Sequence, residues 1–370
     1  MTTTIIIATD KFKGSLTSFE AAAAIANGLK THAVSDTIIS FPFADGGDGF
    51  AAVMKYYLQT QTISCLAADP LGRPIEASYE WDAGSKTAII EMAVTSGLVL
   101  LKKEEQDPLQ TSTYGTGLMI RHAIGKGAKK IILGLGGSAT TDAGTGILAA
   151  MNFQFTNDKN ELLQPSGENL LHIKSILPPA ERPPVQFEIA CDVQNILYGR
   201  QGAAQIYAAQ KGAGKKAIIL LDNGLQHFSA TMEMHTGRKI AAIPGTGAAG
   251  GVAAGLMGYF DVTLSKGVEL VAAASKIEDA LPHAGLLITG EGRIDAQSNE
   301  GKVTGFIGSL AKQYKLPCTA FCGVSTLDAA TAAGMGIQKI ITLASNSGEI
   351  AYALNNAAAV LEKKAAQLFL

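Results

Sequence analysis

The sequence is poor in charge, in aromatic residues and in cysteine. Charged residues make up 17% of 370, aromatics 6%, there is one tryptophan, and the formal net charge is −2. That excludes the basic surface that holds nucleic acid and the polybasic run that suits an anionic membrane. Small organic ligands are the partners that remain. Cys65, Cys191, Cys318 and Cys322 form no C-x-x-C pair, and the C-x-x-x-C spacing at 318–322 has no His or Cys nearby to complete a zinc site. Reduced, buried thiols in a cytoplasmic protein are expected. No signal-length apolar stretch opens the chain, since the run at 5–8 is followed at once by Thr9, Asp10 and Lys11. The uncharged stretch 240–260 makes a poor membrane span, because Pro244 interrupts it and glycines thin it. A glycine loop leading into a buried helix is the better reading. The motifs G-x-x-x-x-G-K-[ST], G-x-S-x-G and H-E-x-x-H are all missing. His32, His122, His227 and His235 read as helix-face residues, and Trp81 as core.

What the chain has is apolar residues (47%) and glycine, 41 of 370, about 11% against the usual ~7%. The glycines come in clusters, which marks turns where backbone must approach something closely. A buried strand at 5–8 precedes a capping box, with Thr17 as N-cap and Glu20 at N3, and a helix to about Lys30. A strand at 37–41 and a helix at 49–58 continue a βαβα rhythm, so a parallel α/β sheet is expected. Between 65 and 101 short β-like runs appear, at 76–81 and 87–92, separated by Gly and Pro turns. A proline-rich connector at 177–184 precedes a strand at 185–190, and from 285 the α/β rhythm returns to a closing helix from about Ile350. The expected architecture is two α/β domains. One is Rossmann-like and formed by both chain ends, residues 1–66 and 284–370. The other is a mixed α/β domain, residues 67–283, inserted in it. A ligand would then sit at strand C-termini in the cleft between them.

Polar clusters follow several predicted strands. Asp10, Lys11 and Lys13 stand between a strand and a capped helix, where a phosphate or carboxylate is welcome. The alternative is that the lysines are merely solvated. Asp45 and Asp48 flank a diglycine, a pattern that suits Mg²⁺ as well as an ordinary Asp-Gly turn. Residues 131–146 read IILGLGGSATTDAGTG. Gly134, Gly136 and Ala139 fit the dinucleotide spacing G-x-G-x-x-G/A, with Asp158 at the distance of a ribose-binding carboxylate. The downstream half is unlike that fingerprint: Ser138, Thr140, Thr141 and Asp142 lead into Gly144 and Gly146, and hydroxyls with a row of N–H groups make an anion cradle. Asp192 and Asn195 stand just past a strand, Gln210 and Lys211 precede a glycine, Gly247 and Gly250 belong to PGTGAAGG, and Glu291, Arg293, Asp295 and Gln297 crowd a strand end. Each alone could be a capped turn; seven such turns in one chain point to a site.

The segments IIIATDKFKGSLTS, PFADGGDG, DPLGRP, IEMAVTSGL, TYGTG, GLGGSATTDAGTG, ACDVQN, AAQKGA, PGTGAAGG and ITGEGRIDAQSNEGK occur in this order. Together they resemble the bacterial glycerate kinase family of type I over nearly the whole chain. The resemblance implies a two-domain α/β kinase that uses ATP and Mg²⁺ and phosphorylates D-glycerate on its 2-hydroxyl to 2-phosphoglycerate, as a monomer or homodimer. Most motif residues keep the family's pattern, and by position and chemistry Asp192, Lys13 and Lys211 are candidates for catalysis and Arg293, Asn195, Ser138 and Thr140 for the substrate. Asp10, Lys11, Gly136, Gly137, Gly247 and Gly250 would hold phosphate and nucleotide, and Asp45, Asp48 and Glu291 the metal. Asp48 stands where Glu is more usual, Thr141 and Ala143 where Asn and Gly are common, and Ile196 and Ala209 replace prolines. Two other classes share these features. An NAD(P)-dependent hydroxyacid dehydrogenase would use the same glycine loop, and a non-catalytic sugar-acid sensor would bind glycerate without turning over ATP.

Overall fold

The computed structural model describes residues 3–31, 37–295, 302–344 and 346–369. His32 and Gln297, singled out above, lie outside the described residues. The strands in chain order are β1 (Thr4–Thr9), β2 (Thr37–Pro42), β3 (Gln61–Ala68), β4 (Pro74–Asp82), β5 (Thr87–Glu91), β6 (Lys130–Gly134) and β7 (Gln154–Thr156). They continue with β8 (Ser175–Leu177), β9 (Gln186–Ala190), β10 (Asp261–Ser265), β11 (Ala284–Ile294), β12 (Cys318–Ser325) and β13 (Lys339–Thr342). The chain divides into two compact units, Met1–Asp45 with Lys266–Leu370, and Gly46–Ser265.

The first unit is built on a five-stranded sheet in the order β13-β12-β11-β1-β2, parallel throughout. Counted along the unit this is 2-1-3-4-5, the flavodoxin-type doubly wound order rather than the 3-2-1-4-5-6 of the dinucleotide fold. The order reverses between β1 and β11, so the polar residues at their C-terminal ends stand where such sheets bind ligands. Five of the six β1 residues are buried, as a strand covered on both faces requires. The helix Ser18–Lys30 begins at the expected capping box: Glu20 N–H donates to Thr17 Oγ1 at 3.2 Å, and Thr17 N–H donates to Glu20 Oε2 at 2.8 Å.

The second unit carries a six-stranded mixed sheet, β10-β9-β6-β5-β4-β3. The first four strands are parallel; β3 and β4 form an antiparallel hairpin at one edge. Because Leu66 pairs with Glu76 across that hairpin, residues 61–66 lie in this unit's sheet, and the chain crosses between units at 45/46 and 265/266 rather than near 66 and 283. The parallel strands β5, β6 and β9 end at Glu91, Gly134 and Ala190, so the segments that follow them gather at one end of the sheet. The helix Val252–Tyr259 has seven buried residues and follows the glycine cluster, as the sequence suggested. No helix among the described residues is long and apolar enough to cross a membrane. Trp81 is 8% exposed within the core, and the four cysteines are free and buried.

Thr17→Ala removes the capping hydroxyl and is expected to lower stability by about 1 kcal/mol. Chemical denaturation would show this as a lower midpoint at unchanged slope, and an unchanged midpoint would contradict it.

Candidate active site

Each unit carries one cluster of the predicted site residues. In the first, Asp10 follows β1 and lies beside β11, its N–H donating to Gly290 O at 2.9 Å. That register sets Asp10 next to Glu291. Asp10 is 5% exposed. Burial pushes its carboxyl up to about 8, and Asp45 and then Glu291 push the same way, while Lys11 and its N–H pull it down. The cluster holds two cations: Lys11 Nζ is 4.0 Å from Asp45 Oδ1, and Lys302 Nζ is 3.7 Å from Glu291 Oε2. Lys302 went unassigned in the sequence, although it closes the quoted ITGEGRIDAQSNEGK segment. Arg293 and Lys13 are exposed, and Arg293 Nε lies 3.4 Å from Asp295 Oδ2.

In the second unit the glycine loop follows β6. Leu98 N–H donates to Gly137 O at 2.9 Å and Ala139 N–H to Ser96 O at 2.8 Å, which splints residues 137–139 against 96–98. The N–H groups of Gly136, Gly137 and Ser138 take no backbone acceptor among the described residues. At Gly136 a Cβ would come within 2.5 Å of Gly47 Cα, so only glycine allows that approach. Asp48 belongs to this unit and sits by the loop, since a Cβ on Gly137 would lie 3.2 Å from its Oδ1. Asp45 belongs to the other unit, with Asp10 and Glu291, so the proposed metal set of Asp45, Asp48 and Glu291 is divided between the two clusters.

Lys211 is the centre of the second cluster. Its side chain is 2% exposed, and Nζ donates to Thr140 O at 2.6 Å and to Ser138 Oγ at 3.0 Å. Burial lowers the ammonium to about 7; the Asp142 carboxylate opposes that shift. Thr140 and Thr141 are fully buried, and neither hydroxyl has a hydrogen-bond partner among the described residues. The segment with Gly247 and Gly250 closes the loop from behind. Gly250, at φ +73°, packs so closely that a Cβ would meet Thr140 O at 2.2 Å, and its carbonyl accepts from Ala143 N–H at 3.0 Å. Gly247 lies against Ile196 O and donates to Asn195 O at 2.9 Å. These two glycines therefore shape the site through packing.

Asp192 is half-buried, two residues past the end of β9. Asn195 is engaged at both ends of its side chain: Nδ2 donates to Gln201 O at 2.9 Å, and Oδ1 accepts from Tyr207 OH at 2.5 Å. It pins the loop that carries Asp192. A groove of about 990 Å³ lies at the other end of the same sheet, by Gln186 and Asp261 at the starts of β9 and β10. It does not coincide with any of these motifs.

The dinucleotide reading of residues 134–139 fails on geometry. A fingerprint loop opens its helix at the third small residue. Here the loop runs on and the helix Thr145–Ala150 begins after Gly144. Asp158 is exposed past β7, which pairs with β8 in a separate two-stranded sheet.

A doubly wound sheet with carboxylates at its switch point and a second sheet followed by a glycine loop around a buried lysine define an α/β protein with two polar clusters at strand ends. Residues 5–370 match the model of the glycerate kinase family. Glycerate kinase of Halalkalibacterium halodurans is 41% identical over 86% of this chain and 85% of its own. Glycerate 2-kinase of Escherichia coli K12 is 36% identical over 95% and 93%. A crystal structure from Salmonella typhimurium LT2, 32% identical, superposes with a TM-score of 0.86 over 100% of this chain and 97% of that one. The chain belongs to the glycerate kinase family.

Asp10 gives a pH test of the first cluster. A carboxyl raised from 3.8 to about 8 holds a proton in the folded state that the unfolded chain releases, so its contribution is lost as pH rises from about 4 through 8. In chelator, Asp10→Asn is expected to melt above the parent at pH 8–9, with the difference vanishing towards pH 4. A difference independent of pH would contradict the assignment.

Proposed function

We propose that this protein transfers the γ-phosphoryl group of ATP to the 2-hydroxyl of D-glycerate, giving 2-phosphoglycerate and ADP. The observation that carries the reading is a buried ammonium seated in a glycine loop, within a chain that matches a glycerate 2-kinase along 95% of its length. Phosphoryl transfer asks a protein for alignment, charge neutralisation and a place for the acceptor proton. Lys211 and the N–H groups of 136–138 neutralise the oxygens of the moving group. The Thr140 hydroxyl, which has no described partner, donates to a substrate oxygen. Asp192 orients the 2-hydroxyl and takes its proton, and Arg293 receives the glycerate carboxylate as a fork. Ser138 is held to Lys211 and shares its role. Lys11 and Lys13 stand at the end of β1, ready to meet nucleotide phosphate.

The acidic residues fit Mg²⁺ in chemistry. Asp10, Asp45 and Glu291 are oxygen donors, and Asp45 and Glu291 both raise the proton affinity of Asp10, which is the field a hard cation relieves. Among the described residues no three acidic, His or Cys side chains form a ready-made metal shell. The set suits an ion held by one or two carboxylates that keeps most of its waters. When bound, Mg²⁺ supplies neutralisation of polyphosphate charge.

The test is purified protein with Mg-ATP and D-glycerate, coupled through enolase and pyruvate kinase. Signal without phosphoglycerate mutase is expected, because the product is the 2-phosphate. Signal only with mutase would move the acceptor to the 3-hydroxyl, and silence in both would overturn the reading. Asp192→Asn is expected to lower kcat by about 10²-fold or more, the scale of a lost general base; an unchanged kcat would remove Asp192 from that role.

A further inference from the structure

Asp142 lies in the glycine loop, and neither the sequence pattern nor the mechanism above gives it a task. It is fully buried. Its Oδ2 accepts from Thr113 N–H at 2.8 Å, from Thr113 Oγ1 at 2.8 Å and from Gly146 N–H at 3.2 Å, and its Oδ1 accepts from Gly144 N–H at 3.0 Å. Four donors converge on one carboxyl, an arrangement that suits the acceptor-only ionised form. Burial holds the carboxyl above its usual range, and these four bonds pull it back without cancelling the rise; the case for the ionised form is the four converging donors.

The bonds join two segments. Thr113 stands immediately before the helix Tyr114–Gly125, with its Oγ1 accepting from Ile147 N–H at 3.0 Å, while Gly144 and Gly146 begin the helix Thr145–Ala150. Between them Ala143 is held at φ +54°, a left-handed conformation that costs a non-glycine residue about 1 kcal/mol. It persists because the bonds from Gly144 and Gly146 to Asp142, and the bond from its own N–H to Gly250 O, over-determine the turn.

The Asp142 carboxylate also favours the charged form of Lys211, whose hydrogen-bond partners, Ser138 Oγ and Thr140 O, are neutral. An ammonium buried without a counter-charge gives up its proton rather than remain ionised.

We infer that Asp142 is a positioning residue for phosphoryl transfer: its carboxylate fixes the glycine loop between two helices and keeps the Lys211 side chain seated there as an ammonium. The inference rests on the kinase reading, and its test separates the two. Activity of the parent on D-glycerate is measured first, because only that result bears on the reaction itself. With Asp142→Asn the alkaline limb of kcat/KM is expected to move to lower pH by a unit or more, and the rate at pH 8 to fall about 10²-fold. A purely structural role would lower the profile evenly and leave the limb in place, and that outcome overturns the inference.

Thr113→Val removes one donor to the carboxylate and keeps its charge. It is expected to raise KM or lower kcat with the limb unmoved. Wild-type kinetics in this variant would overturn the inference even if Asp142→Asn fails to fold. If the parent is inactive on glycerate, ¹³C NMR of the lysine ε-carbons makes the same comparison without turnover. The Lys211 resonance should titrate at lower pH in Asp142→Asn than in the parent, and equal midpoints would overturn the inference.

Discussion

The second unit is organised around one buried ammonium. Lys211 comes from a short turn far along the chain from the glycine loop, yet its Nζ donates to Ser138 Oγ and Thr140 O inside that loop. Taking a lysine out of water is costly, and two neutral oxygens do not offset the loss. The Asp142 carboxylate offsets part of it. In the free protein the group stays near neutrality, at about 7. On the proposed function an incoming anion completes the set of partners, so binding energy and protonation are coupled at this one atom.

The close approaches around it follow from that burial. Gly250 sits where a Cβ would strike Thr140 O, and Gly255, in the helix Val252–Tyr259, where it would strike Ala143 O. The PGTGAAGG segment is thus backbone packed over a loop of backbone, and its glycines answer both to contact distance and to positive φ at Gly245, Gly250 and Gly251. The first unit uses the reverse electrostatics. Its sheet order brings Asp10 and Glu291 side by side with Asp45 close enough to oppose ionisation of Asp10, and Lys11 and Lys302 only partly relieve the crowding. One cluster is short of negative charge and the other has too much.

Much of this was legible in the sequence, and for local reasons. The capping box at Thr17 and Glu20, the strands flanking the glycine loop, and the buried helix after PGTGAAGG depend on neighbours in the chain, and periodicity and turn chemistry reveal them. What was not legible depends on partners far away. The expected boundary leaves residues up to 66 with the chain ends, and the pairing of β3 with β4 is what places 61–68 in the second unit. Asp45 and Asp48 look like one ligand pair, yet the chain passes from one unit to the other between them. Asn195 looks like a substrate contact, but Tyr207 and Gln201 occupy its amide. Asp142 looks like another loop carboxylate until Thr113 is seen opposite it.

The most direct measurement is the proton count on binding. Calorimetric titration with 2-phosphoglycerate at pH 8, without metal, in two buffers of different ionisation enthalpy, reads protons taken up by the complex. If Lys211 is buried near neutrality and receives the anion, about one proton is taken up by the parent and none by Lys211→Met. Tight binding with no buffer dependence in the parent would contradict the central role given to this ammonium.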